Sequence, residues 1–176
     1  MNKKLIYILP VLVVLMLGAF IFSAAVNTTV SKGDTAPEIS MATPEGNTIT
    51  LSSFKGKYVI VDFWASWCAA CRKENQNLVR TYNKYKVAKL KGGAGFTVFS
   101  VSLDADAELW KRAITNDKLT WPNHVSDLKK WDSQAAIDYG VTSLPTSFLV
   151  DPEGKIIASG SSATDLEPEL EKLLAQ

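Results

Sequence analysis

Only two cysteines and one histidine, His124, occur among the 176 residues, and these scarcities exclude several kinds of chemistry. A zinc centre takes about four ligands, and His124 is the one soft donor left beyond the cysteine pair, so no metal site is expected. No cysteine precedes Cys68, which rules out a lipid-modified cysteine near the start. Covalent haem attachment needs histidine directly after the second cysteine, where Arg72 stands instead. Charge of one sign is also missing: 19 Lys and Arg face 18 Asp and Glu, for a formal net charge of +1. That balance lacks the basic excess of a nucleic-acid binder, so nucleic acid is not an expected partner. The chain shows neither an internal repeat nor a low-complexity tract. What remains, 47% hydrophobic and 21% charged residues, is ordinary globular composition, and the length suits one domain with an appendage, at roughly 100–200 residues per domain.

The appendage is residues 1–29, read as a membrane anchor or signal segment. Lys3 and Lys4 precede an uncharged, mostly apolar run over residues 5–26. About 20 such residues, rising 1.5 Å each as a helix, cross a bilayer core of roughly 30 Å. No basic residue follows until Lys32, and this asymmetry places the N-terminus inside and the rest of the chain outside the cytoplasm. The expectation is a retained single-pass anchor in a bacterial inner membrane, with the domain facing the periplasm or the cell exterior. The alternative is a cleaved signal peptide and a secreted domain, with Ser23 and Ala25 as small residues before a cut at Val26, although the apolar core of such peptides runs only ~7–15 residues.

Residues 30–176 read as a single α/β domain. An N-terminal hairpin turns at "PEGN". "KYVIVDFWA" is a near-continuous apolar run, the mark of a central strand covered on both faces, broken by one acid, Asp62. Leu78, Val79, Tyr82 and Tyr85 at helical spacing predict a helix over 69–89, ending near Gly92 and Gly93. A second buried strand is expected over 96–103, helices over 106–115 and 133–139, a hairpin over 146–160 and a closing helix over 165–174. Strands alternating with helices before a terminal hairpin imply a mixed sheet flanked by helices. Trp64, Trp110, Trp121 and Trp131 are expected to pack in the core or against helices, and His124 to be a surface or strand residue.

Both cysteines lie in "FWASWCAACRKE", residues 63–74, two residues apart. The spacing admits a metal clip, a structural staple or a redox pair. A staple closing so short a loop would constrain the unfolded chain little. Exchange chemistry fits better. Cys68 would sit at the first turn of a helix, where unpaired N–H groups and the positive dipole end stabilise a thiolate and lower its pKa below the free value of ~8.5. Cys71, one turn later on the same side, could attack the mixed disulfide that Cys68 forms. Deprotonating Cys71 in a dry site calls for a nearby base, and Asp62 and Glu74 are the candidate acids. Trp67, beside Cys68, would shield the disulfide and offer a flat docking surface.

"VDFWASWCAACRKE" followed by "SLPTSFLVDPEGKI" resembles the thioredoxin fold, and more narrowly the membrane-anchored TlpA/ResA-like group of thiol-disulfide oxidoreductases, over roughly residues 30–174. The resemblance implies a four- or five-stranded sheet and a cis Pro145 beside the cysteines, presenting the Leu144 backbone to an extended substrate strand, with Thr146 completing the motif. It matches Asp62 to the buried acid of thioredoxins and Glu74 to the active-site glutamate of the ResA-like branch. Two positions depart from it: Ala69-Ala70 between the cysteines, and Gln76 where a proline often bends the helix. It further implies a monomer without cofactor that reduces disulfides in exported proteins, among them apocytochrome c Cys-x-x-Cys-His sites in cytochrome c maturation, with electrons from a membrane thiol carrier. An oxidase or isomerase is the alternative direction. A peroxiredoxin would have Thr and Pro where Ala65 and Val61 stand, and a copper-delivery module would separate its cysteines by three residues.

Overall fold

A computed structural model describes residues 29–175. The apolar run over 5–26, and with it the expected anchor, lies outside the described residues. Among the described residues no helix is long and apolar enough to cross a membrane.

The expected hairpin is β1 (Ser40–Ala42) and β2 (Thr48–Thr50), antiparallel, with Met41 opposite Ile49. The chain then enters β3 (Lys57–Trp64), every residue of which after Lys57 is buried. Central position explains the unbroken apolar run. β3 pairs in parallel with β4 (Gly95–Ser102) on one edge and antiparallel with β6 (Thr146–Val150) on the other. The short β5 (His124–Val125) and β7 (Ile156–Gly160) complete a five-stranded mixed sheet of order β5-β4-β3-β6-β7. Helices α1 (Ala69–Tyr85), α2 (Ala107–Asn116), α3 (Gln134–Asp138) and α4 (Ala163–Lys172) flank it. This is a thioredoxin-like fold with an N-terminal strand hairpin.

Helix boundaries follow their caps. Asp106 caps α2 by accepting from the Glu108 and Leu109 N–H groups at 2.8 and 3.0 Å, and Ser162 caps α4 through the Asp165 N–H at 3.1 Å. α1 stops four residues short of the periodicity's limit because residues 89–91 find partners elsewhere. The Lys91 N–H donates to Leu173 O at 2.8 Å and the Ala175 N–H to Lys89 O at 2.9 Å, which ties this stretch to the chain's end.

Three of the four tryptophans meet expectation: Trp64, Trp110 and Trp121 are buried. Trp131 does not, at 44% exposed. It lies in a single 3-10 turn, Lys130–Asp132, outside α3, and Leu128 and Lys130 beside it have positive φ, so no helical period governs where it points. His124 takes the strand placement of the two expected, in β5, and is buried there; burial pushes its pKa down to about 4. Its ring stacks on Trp121 with centroids 5.4 Å apart.

Behind the sheet's β6 side, Phe63, Tyr139 and Phe148 pack with centroids 5.1–6.1 Å apart. Gly140 ends α3: its φ is +66°, and the Val141 N–H returns to Ala136 O at 2.8 Å. A Cβ at Gly140 would meet the Thr29 Cα at 2.8 Å, whereas one at Gly154, also at positive φ, would touch only the Lys55 Cε at 3.9 Å. Both alanine variants therefore incur the left-handed penalty of ~1–2 kcal/mol, but Gly140→Ala adds a backbone clash and should lose measurably more unfolding free energy in urea. Equal losses would show that the Thr29 segment yields freely.

Candidate active site

The cysteine turn leaves the C-terminal end of β3. Ala65, Ser66 and Trp67 bridge from Trp64 to Cys68, the N-cap of α1. Cys68 has extended backbone angles (φ −85°, ψ 102°), and its Sγ accepts the Cys71 main-chain N–H at 3.1 Å. The two sulphurs are joined in a disulfide. Cys68 is 9% exposed and Cys71 1%, so the first sulphur is the more accessible of the pair. Ala69 and Ala70 between them are exposed, and Trp67 is 50% exposed. The Trp67 indole N–H donates to Leu103 O at 3.3 Å, and the ring leans on Trp131 with centroids 6.3 Å apart.

β3 and β6 run antiparallel with Phe63 opposite Thr146. The Leu144–Pro145 segment, immediately before Thr146, therefore lies at the same sheet end as the cysteine turn. Its peptide bond is cis. Leu144, Pro145 and Thr146 are half-buried.

Asp62 faces Ser147 in the β3–β6 register and accepts its hydroxyl at 2.9 Å. Burial raises its pKa to about 7; the Ser147 hydrogen bond opposes that rise and the Glu74 charge adds to it. Glu74 lies a turn beyond Cys71 on α1 and is half-buried. Its Oε1 accepts the Ala163 N–H at 2.9 Å, at the first residue of α4, and its Oε2 accepts from Asn77 Nδ2 at 2.7 Å. The carboxylate thus serves the N-terminus of another helix, a contact across 89 residues that helical periodicity does not reveal.

Sequence reasoning missed a second polar cluster beneath the turn. Asp104, buried just after β4, accepts from the Ser66 N–H at 2.9 Å, the Ser66 hydroxyl at 2.6 Å and the Ser102 hydroxyl at 2.7 Å. Arg72 donates through Nη2 to Asp117 at 2.6 Å and also through Nε, and Asn75 joins the same carboxylate at 2.6 Å. An acid directly following a buried strand, as in "FSVSLD", was the available signal. Among the described residues no three His, Cys, Asp or Glu side chains gather as a metal would require.

A sulphur at a helix N-terminus, bonded to a partner more buried than itself, can open on a thiol and close again, which is disulfide exchange. Known proteins agree. The chain is 31% identical to the thiol-disulfide oxidoreductase ResA of Bacillus subtilis over 143 residues, covering 80% of this chain and 74% of that one. ResA of Geobacillus thermodenitrificans is 28% identical over 93% of this chain and 92% of its own. Among solved structures, the thioredoxin domain of a thiol-disulfide oxidoreductase from Bacteroides vulgatus is 40% identical and superimposes with a TM-score of 0.73, covering 83% of this chain and 99% of that one. The AhpC/TSA family model matches residues 32–159. Sequence match, fold and cysteine geometry converge: the chain belongs to the AhpC/TSA family of thioredoxin-fold proteins, and within it is a thiol-disulfide oxidoreductase of the ResA kind.

Proposed function

We propose that this oxidoreductase works outside the cytoplasm as a membrane-anchored monomer that reduces disulfides in exported proteins, with Cys68 as the attacking sulphur. The observation that carries Cys68 as the attacking sulphur is the position of its Sγ at the N-cap of α1, accepting the Cys71 N–H at 3.1 Å while remaining the more exposed of the two sulphurs. In the reduced protein that N–H and the positive end of the helix favour a thiolate there. The thiolate attacks one sulphur of the substrate disulfide and expels the other as a thiolate, leaving a mixed disulfide. Cys71, deprotonated, then attacks Cys68 Sγ, restores the internal disulfide and releases the second substrate thiolate. The substrate gains two electrons, which a membrane thiol donor returns to the pair.

Asp62 is the proton carrier for Cys71. Its pKa of about 7 lets it take and give a proton near neutrality, and a single hydroxyl donor leaves its second oxygen free. Glu74, with both oxygens engaged, acts on the relay through its charge on Asp62. Trp67 and the Leu144-Pro145-Thr146 segment bind the substrate strand. The lysines and apolar run at the start support the anchored, periplasmic or extracellular placement. Apocytochrome c sites are one substrate class compatible with it.

Cys68→Ser should abolish insulin reduction, while Cys71→Ser should accumulate a substrate mixed disulfide visible on a non-reducing gel; a Cys68→Ser protein with wild-type rate would end the assignment. The sign of electron flow is read from the reduction potential of the pair. A value near −270 mV supports the reductant, and one near −120 mV makes the protein an oxidase.

Asp62 carries its own pH signature. Its folded pKa lies above the unfolded value, so folding favours the protonated form; its contribution is complete below about pH 4 and lost as pH rises through about 7. Asp62→Asn should therefore flatten the fall in unfolding free energy across that window, with a gain of roughly 1–4 kcal/mol over wild type above it. The same variant should remove the step near pH 7 from the rate profile. An unchanged rate profile would take Asp62 out of the relay.

A further inference from the structure

We propose that Asp104 is a positioning residue for this exchange: it grips Ser66 and thereby fixes the turn that holds the Cys68 sulphur over the N-terminus of α1. The inference rests on Cys68 being the attacking sulphur.

Asp104 is 1% exposed, and a buried carboxylate is costly unless its oxygens are bonded. Both are. One oxygen accepts the Ser66 main-chain N–H at 2.9 Å and the Ser102 hydroxyl at 2.7 Å; the other accepts the Ser66 hydroxyl at 2.6 Å. Two of the three bonds thus converge on a single residue 38 positions away in the chain, two residues before Cys68. The coplanar oxygens of a carboxylate can take the amide and the hydroxyl of one serine together, which fixes that residue in rotation as well as position.

Asp104 is itself braced, since its own N–H donates to Ser102 Oγ at 3.0 Å and Ser102 belongs to β4. The remaining polar group of Ser66, its carbonyl, faces the Arg72 Nη1 at 3.4 Å, and Arg72 is held by Asp117. On either side of Ser66 the Cys68 N–H donates to Ala65 O at 3.1 Å and the Trp67 indole to Leu103 O. The turn is therefore bound at every residue, and Asp104 supplies two of the three bonds to Ser66 at its centre. None of these groups reacts. Their effect reaches the chemistry through where Cys68 Sγ sits relative to the Cys71 N–H, and a displacement of an ångström in such a pair is worth large factors in rate.

The test uses the full chain with Asp104→Ala and Asp104→Asn. It measures insulin reduction, and, with Cys71→Ser added so that Cys68 reacts alone, the pH midpoint of iodoacetamide alkylation. Asp104→Ala should slow reduction by ~10-fold or more and move the alkylation midpoint upward, because the thiolate loses its fixed donor. Asp104→Asn keeps an oxygen for the Ser66 amide and an amide group for its hydroxyl, so it should recover most of the rate and a midpoint near wild type. Loss of fold alone would not produce a shifted midpoint with rescue by the amide. Should Asp104→Ala fail to fold, Ser66→Ala removes one bond of the grip and should show the same two changes in smaller measure. Wild-type rate and midpoint in a folded Asp104→Ala, or in Ser66→Ala where it stands in, overturn the proposal. A downward midpoint shared by the Ala and Asn variants also overturns it, since Asp104 would then act by charge. Activity surviving in Cys68→Ser would instead overturn the assignment of the nucleophile.

Discussion

A main-chain N–H aimed at a sulphur is the contact on which the remainder of this molecule depends. The Cys71 amide can meet Cys68 Sγ only if the first turn of α1 starts at one place and in one direction. That start is set by β3, which is bonded on both edges, to β4 and β6, and covered on both faces. A strand at the middle of a mixed sheet is a stiff mount, and the reactive sulphur is only four residues past its end. The loop carries the chemistry and the sheet supplies the precision.

The two buried aspartates near this mount do different work because they meet different numbers of donors. Asp62 has one, the Ser147 hydroxyl, and burial, with the Glu74 charge adding to it, raises its pKa to about 7. Asp104 meets three, and its oxygens are committed to holding a turn. Glu74 offers a third case, a carboxylate drawn away to the amide end of α4. Residue type alone would have assigned all three the same role; the donors around each decide.

The fold was legible in the sequence where local pattern and tertiary context agree. The unbroken apolar run of β3 and the helices expected over 106–115 and 133–139 each announce themselves within a few residues. The failures are non-local. The end of α1 yielded to pairing between residues 89–91 and the chain's last residues, which helical spacing cannot register. Aromatic residues usually pack, which predicts a packed Trp131, yet it sits in a one-turn segment with left-handed neighbours and faces Trp67 at the surface. His124, expected at the surface or in a strand, is in a strand, and stacking on Trp121 and β-pairing bury it. At the site, the cysteine spacing and the acid in β3 were readable, but Asp104 was not singled out, because its partner Ser66 is 38 residues distant.

The alanines between the cysteines sharpen the question of what sets the balance between dithiol and disulfide. Ala69 and Ala70 are exposed and bring neither charge nor side-chain hydrogen bonds, so they add no bias of their own. Whatever stabilises the Cys68 thiolate favours the reduced pair and makes it the stronger oxidant. The Cys71 amide and the end of α1 push in that direction. A negative charge on Asp62, two residues from the end of the strand that carries the turn, pushes the other way. A fixed backbone donor and a buried carboxyl whose proton affinity burial raises therefore act on the pair in opposite senses.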